Sequence, residues 1–148
     1  NDAPSSITRL QNMGTPDYLI SAAVTLILAQ RLARKTCPNC RVPDEDATPK
    51  ALADFGFTVE QASRAKVQKG EGCNQCKDSG YKGRMGIYEI LSVTKPIKEA
   101  ILRKATTPEI KEIAMKESFR TMQDMGRELI LTGDLNFREY DRVLSTEG

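Results

Sequence analysis

From Asp17 to about Ala29, the residues Leu19, Ile20, Ala23, Val24, Ile27 and Leu28 recur at helical spacing, while Ala22, Leu26 and Ala29 fill the other faces. The spacing predicts a helix opened by Thr15-Pro16. Being apolar nearly all round, it is expected to be buried in a larger body. Gln30 to Thr36 either continues it or, as the preferred reading, forms a short strand leading into the first cysteine pair. Ahead of this stretch, Asp2 is placed to cap a helix that tolerates Pro4 in its first turn, presents Ile7, Leu10 and Met13, and stops at Gly14.

Further along, Val42 to Thr48 reads as an exposed acidic loop, and Thr48-Pro49 opens a short helix that ends at Gly56. Thr58 and Gln61 have capping-box spacing for another helix of about two turns. Both are too short to stand alone in water. From Ser79 to Leu91, Gly80, Gly83 and Gly86 predict a turn into an extended run in which Ile87, Glu89 and Leu91 alternate with Tyr88 and Ile90. That strand fits burial under helices, with Glu89 in need of a partner.

The last third reads as four helices. Thr94 and Pro96 open one with Ile97, Ala100, Ile101 and Ala105, and Thr107-Pro108 another with Ile110, Ile113 and Ala114. Thr121 starts a third, with Met122, Met125, Leu129 and Ile130 on one stripe before Gly133. Asn136 and Glu139 form a capping-box pattern for the last, with Phe137, Tyr140, Val143 and Leu144 inward. The methionines read as core filler.

Composition narrows the function classes. The 148 residues suffice for one domain or part of a larger one, and a start at Asn1 rather than Met leads us to expect a fragment. A net charge of +2, eight Phe and Tyr, and no Trp argue against a nucleic-acid partner. The apolar run Leu19–Ala29 is too short to span a bilayer, so no transmembrane segment is expected.

The chemistry lies in the four cysteines. Cys37-Pro-Asn-Cys40 and Cys73-Asn-Gln-Cys76 are separated by 32 residues, and no histidine is present. A two-residue spacer lets both thiolates of one tight turn face a single point, so the doubled motif favours an all-cysteine structural zinc site without an open position for water. Two disulfides or a redox dithiol would use the same residues, but nothing else suggests a secreted scaffold, and a redox site needs one such motif. Gly70 and Gly72 let backbone amides turn toward sulfur. Arg34, Lys35, Arg41, Lys69 and Lys77 are placed to offset the negative charge of four thiolates around one zinc.

Taken in order, these motifs carry a resemblance. Gln30-Arg31-Leu32, then Cys-Pro-x-Cys, then Gly-Cys-x-x-Cys, then Gly80-Tyr-Lys-Gly-Arg-Met-Gly-Ile-Tyr-Glu89 resemble the C-terminal part of the secretion ATPases of bacterial type IV pili and type II secretion. The opening Asn1-Asp2-Ala3 resembles the end of that family's histidine box. The resemblance implies an α/β fold: the C-terminal portion of a RecA-like ATPase core with a tetracysteine zinc insertion and a helical tail. It implies a division at 1–36 (core), 37–79 (zinc insertion), 80–94 (core strand) and 95–148 (helical subdomain).

For function, the resemblance implies a homo-hexameric motor in the cytoplasm, peripheral to the bacterial inner membrane. Such a motor uses ATP and Mg2+ to drive an inner-membrane platform protein in pilus assembly or, alternatively, type II secretion. Retraction motors of the superfamily generally lack the cysteines. A zinc-ribbon-like binding module is the alternative from another class. No glycine is followed by lysine, so the phosphate-binding Gly-x-x-x-x-Gly-Lys-Ser/Thr loop is missing, and the chain alone is expected not to hydrolyse ATP. Arg84 is the one side chain considered for a place near nucleotide or a neighbouring subunit; fixing the turn before the strand is its structural alternative.

Overall fold

The computed structural model describes residues 2–145. Asn1, the first residue of the stretch expected to resemble a histidine box, and residues 146–148 of the expected 95–148 subdomain lie outside the described residues. The chain forms two compact units, one made of Asn1–Gln30 and Tyr88–Met122, the other of Arg31–Ile87 and Gln123–Gly148. In chain order the elements are α1 (Ala3–Asn12), α2 (Asp17–Ala23), β1 (Leu26–Thr36), β2 (Arg41–Pro43), α3 (Pro49–Asp54), α4 (Val59–Arg64), β3 (Gln68–Gly70), β4 (Tyr81–Ser92), α5 (Lys95–Leu102), α6 (Thr107–Lys116), α7 (Met122–Thr132) and α8 (Phe137–Leu144). A 3-10 turn covers Asn74–Cys76. No helix among the described residues is long and apolar enough to cross a membrane.

In the first unit, Asp2 caps α1 through the Ser5 amide, with Ser5 closing the capping box. Ile7, Ile20, Leu91, Val93, Ile97, Ile101 and Ile110 make its core, with Ile27 and Ala29 packed against it. The expected helix to Ala29 stops at Ala23, and β1 begins at Leu26. Leu26 and Leu28 are exposed while Ile27 and Ala29 turn to the core, so the period there is two rather than 3.6. Met13, expected inside, follows α1 and is 73% exposed; Met115 is also exposed, whereas Met122 is core.

The strand containing Glu89 is longer than expected. β4 starts at Tyr81, so Gly83 and Gly86 lie within it rather than in a turn ahead of it. Ile87, Glu89 and Leu91 are buried, and Tyr88 and Ile90 are exposed. The partners Glu89 needs are the N–H groups of Ala3, at 2.7 Å, and Met122, at 3.2 Å, the first residues of α1 and α7.

In the second unit, Val42 and Pro43 belong to β2 rather than to a loop, and β2 pairs antiparallel with β3, Arg41 opposite Gly70 and Pro43 opposite Gln68. Thr48 and Thr58 cap α3 and α4 as their spacing predicts. Neither helix stands alone: Phe55, just past α3, has its ring centroid 4.6 Å from that of Phe137 and 5.1 Å from that of Tyr140, both on α8. Asn136 caps α8, but Glu139 does not complete the expected box. Its carboxylate is fully buried and accepts from the guanidinium groups of Arg34 and Arg142 and from the Arg34 amide.

Candidate metal centre

All four cysteines come together in the second unit. Cys37 follows β1, Cys40 precedes β2, Cys73 caps the 3-10 turn and Cys76 is its last residue. The β2–β3 pairing joins the two knuckles, because Cys40 leads into Arg41 and Gly70 leads toward Cys73. Their Sγ atoms lie within 4.8 Å of one another. Cys37 to Cys73 and Cys40 to Cys76 are 3.8 Å, and Cys73 to Cys76 is 3.7 Å.

These distances test the three chemistries. A disulfide needs sulfurs about 2.05 Å apart, and all four cysteines are free. Tetrahedral bonds of ~2.3 Å to one zinc place sulfurs about 3.8 Å apart. The donor set therefore fits a closed four-thiolate centre with Cys37, Cys40, Cys73 and Cys76 as ligands. Bound there, zinc would act as a cross-link and leave no position for a substrate.

The backbone supplies much of the surrounding shell. Gly72 donates its N–H to Cys40 Sγ at 3.3 Å, and Cys73 and Gly80 donate theirs to Cys76 Sγ at 3.2 Å each. Gly72 thus acts as its position suggests. Gly70 has a different task, a backbone-to-backbone approach to Gly80 that leaves no space for a Cβ. Gly80, at φ +81°, also accepts the Cys37 N–H at 2.9 Å, so one residue serves both knuckles. The Asn39 side chain donates to Cys73 Sγ at 3.2 Å.

The thiols feel opposed forces. Burial pushes Cys76 upward, but the Gly80 and Cys73 amides outweigh it and bring the thiol down to about 6. Asn39 lowers Cys73. Cys40 is pushed up to about 12 by burial and by neighbouring thiols, against the pull of the Gly72 amide. Two thiols are thus drawn toward the thiolate while Cys40 is held back from it, the state a divalent cation relieves.

The basic residues named from sequence mostly face carboxylates. Arg34 pairs with Glu139 and lies 4.0 Å over the Tyr81 ring, Arg41 pairs with Asp134 at 3.4 Å, and Lys69 with Glu45 at 3.2 Å. The direct donors to sulfur among the described residues are amides. Arg84 is exposed on β4, and among the described residues no hydrogen bond or ion pair engages it. It is not brought near the cysteines by any contact. Glu139 was missed as an organising residue, because Arg34 and Glu139 are 105 positions apart and the local pattern suggested only a cap.

The sequence model of the family described as type II/IV secretion system protein matches residues 1–142. The chain is 35% identical over 139 residues to the type IV pilus assembly ATPase PilB of Myxococcus xanthus, covering 94% of this chain and 25% of that protein. It is 38% identical to PilB of Thermus thermophilus, covering 94% and 16%. To the type II secretion system protein E of Aeromonas hydrophila it is 33% identical, covering 97% and 28%. The chain therefore spans between 16 and 28% of the length of these relatives.

Proposed function

The chain belongs to the type II/IV secretion system protein family, and from that premise we propose that it is the metal-binding C-terminal part of an ATPase that powers type IV pilus assembly. The observation that carries this reading is the four-thiol cluster, set in a chain 35–38% identical to pilus assembly ATPases over nearly its whole length. Identity to type II secretion proteins E is lower, 30–33%, which makes pseudopilus assembly the second reading.

In this account the longer protein is a homo-hexameric, cytoplasmic ATP hydrolase that uses Mg2+ and works against an inner-membrane platform protein. Residues 1–36 and 80–94 belong to its RecA-like core, 37–79 to the zinc-bound insertion and 95–148 to a helical subdomain. The apolar side chains Leu26, Leu28, Tyr88 and Ile90, exposed on β1 and β4, which pair in a two-stranded sheet whose other face is core, support the idea that this sheet continues in the longer protein. Arg84, exposed and unengaged among the described residues, stays a proposed contact to nucleotide or a neighbouring subunit.

The residues of the chain position rather than catalyse. The knuckle amides orient sulfur, Glu139 holds Arg34 and Arg142, and the phosphate loop is absent from the sequence. The test has two arms. Replacing all four cysteines by serine in the longer protein is expected to abolish zinc retention and pilus formation together; normal piliation without zinc would overturn the role of the centre. The 148-residue chain is expected to show no Mg2+-dependent ATP hydrolysis, and measurable turnover would contradict the assignment of catalysis to the remainder of the protein.

A further inference from the structure

One carboxylate serves the first residues of two helices. Glu89, 3% exposed on β4, accepts the Ala3 N–H on Oε1 at 2.7 Å and the Met122 N–H on Oε2 at 3.2 Å. These amides lie 86 and 33 positions from it in sequence, and they open α1 and α7. The first N–H groups of a helix have no acceptor within it, so each start must be held from outside. The capping box of α1 engages the Asp2 and Ser5 amides and leaves that of Ala3 to Glu89.

The two oxygens of a carboxylate share one rigid plane, whereas the side-chain torsion that turns this plane is soft. Ile87 and Leu91, the neighbours of Glu89 on the buried face of β4, are apolar and do not fix that torsion by hydrogen bonding. The amides at its two oxygens do. We propose that Glu89 is a conformational tie between the two helix starts, so that displacement of the chain where it enters α1 is felt at the start of α7. When Ala3 releases Oε1, the plane turns and Oε2 leaves Met122. Because α7 carries the chain from Met122 into the second unit, a load on the chain ahead of Ala3 reaches the helix that leads into the cysteine-bearing unit.

The test replaces the Asp2–Ala3 amide by an ester, which removes the Ala3 N–H and keeps every side chain. A synthetic 1–36 segment with lactic acid in place of Ala3 is ligated to 37–148 at Cys37, and amide hydrogen exchange is followed at Met122. The ester is expected to speed Met122 exchange about tenfold, the size of one hydrogen bond to a charged group, and to move the Met122 amide proton upfield in the folded chain. Ile97→Val lowers stability to a comparable degree with the tie intact, and should leave both readouts at Met122 as in wild type. Glu89→Gln keeps one accepting oxygen and is expected to release one of the two amides, read as about tenfold faster exchange at Ala3 or at Met122. An ester chain whose Met122 amide keeps its wild-type shift and rate, or responds only as it does in Ile97→Val, overturns the proposal. So does a Glu89→Gln chain in which both amides stay slow.

Discussion

A Cβ on Gly80 would stand 2.6 Å from the carbonyl oxygen of Gly70. The two glycines meet at the point where the second knuckle returns to the first, and Gly80 also donates to Cys76 and accepts from Cys37. Gly80→Ala adds that clash to a left-handed backbone, which alone costs on the order of 1–3 kcal/mol. We expect a lower melting temperature and weaker zinc retention together. Melting followed with and without chelator checks this; a variant that loses stability equally in both conditions would show that the glycine contact is not part of the centre.

Glu139 is expected to make stability depend on pH. Burial raises its carboxyl pKa, but Arg142 and Arg34 outweigh burial and bring it to about 2, against an ordinary 4.5. A depressed carboxylate contributes its stability in full above the unfolded value and loses it as pH falls from about 4.5 toward 2. Both arginines are partly exposed, so the contribution is discounted to roughly 2–3 kcal/mol. Glu139→Gln should cost about that at pH 7, and the gap from wild type in urea unfolding should close as the pH is lowered through that window. A gap constant from pH 7 to pH 3 would assign its effect to packing alone.

Much of this was readable from local signals. The caps at Asp2, Thr48 and Thr58 and the thiol pairs depend on residues close in sequence, and each forms as its spacing predicts. The start of β1 was not readable, because Leu26 to Ala29 are all apolar, so helical and strand periods fit equally well. What decides it is tertiary: Ile27 and Ala29 pack on the core while Leu26 and Leu28 face out. Gly83 and Gly86 suggested a turn, yet β4 runs through both. The partners of Glu89 and Glu139 lie far away in sequence, and no short-range pattern names them.

In the first unit, Glu89 is expected to govern stability without any part in metal binding. Glu89→Ala would leave the buried amides of Ala3 and Met122 without their acceptor, which costs roughly 2–5 kcal/mol for the pair. Glu89→Gln keeps one oxygen and should cost less. Chemical denaturation of the three proteins orders them; equal stability of the alanine and wild-type forms would contradict the buried hydrogen bonds seen here.

Removing the metal should reach beyond the cysteines. Thr36 N–H donates to the Asp134 carbonyl at 3.0 Å and Lys66 N–H to the Leu131 carbonyl at 3.1 Å, so the segments flanking the knuckles hold the turn between α7 and α8. Chelation is expected to raise amide hydrogen exchange at Thr36 and Lys66 as well as at the knuckles, while Ile97 to Ile101 in the core of the first unit stay protected. Faster exchange limited to the knuckles would show that the turn holds without the metal.

The most direct measurement is native mass spectrometry of the 148-residue chain, purified without added zinc and kept reduced. One zinc per chain is expected, lost when Cys37, Cys40, Cys73 and Cys76 are replaced by serine. A folded, reduced chain carrying no metal, with the four thiols open to labelling, would contradict it.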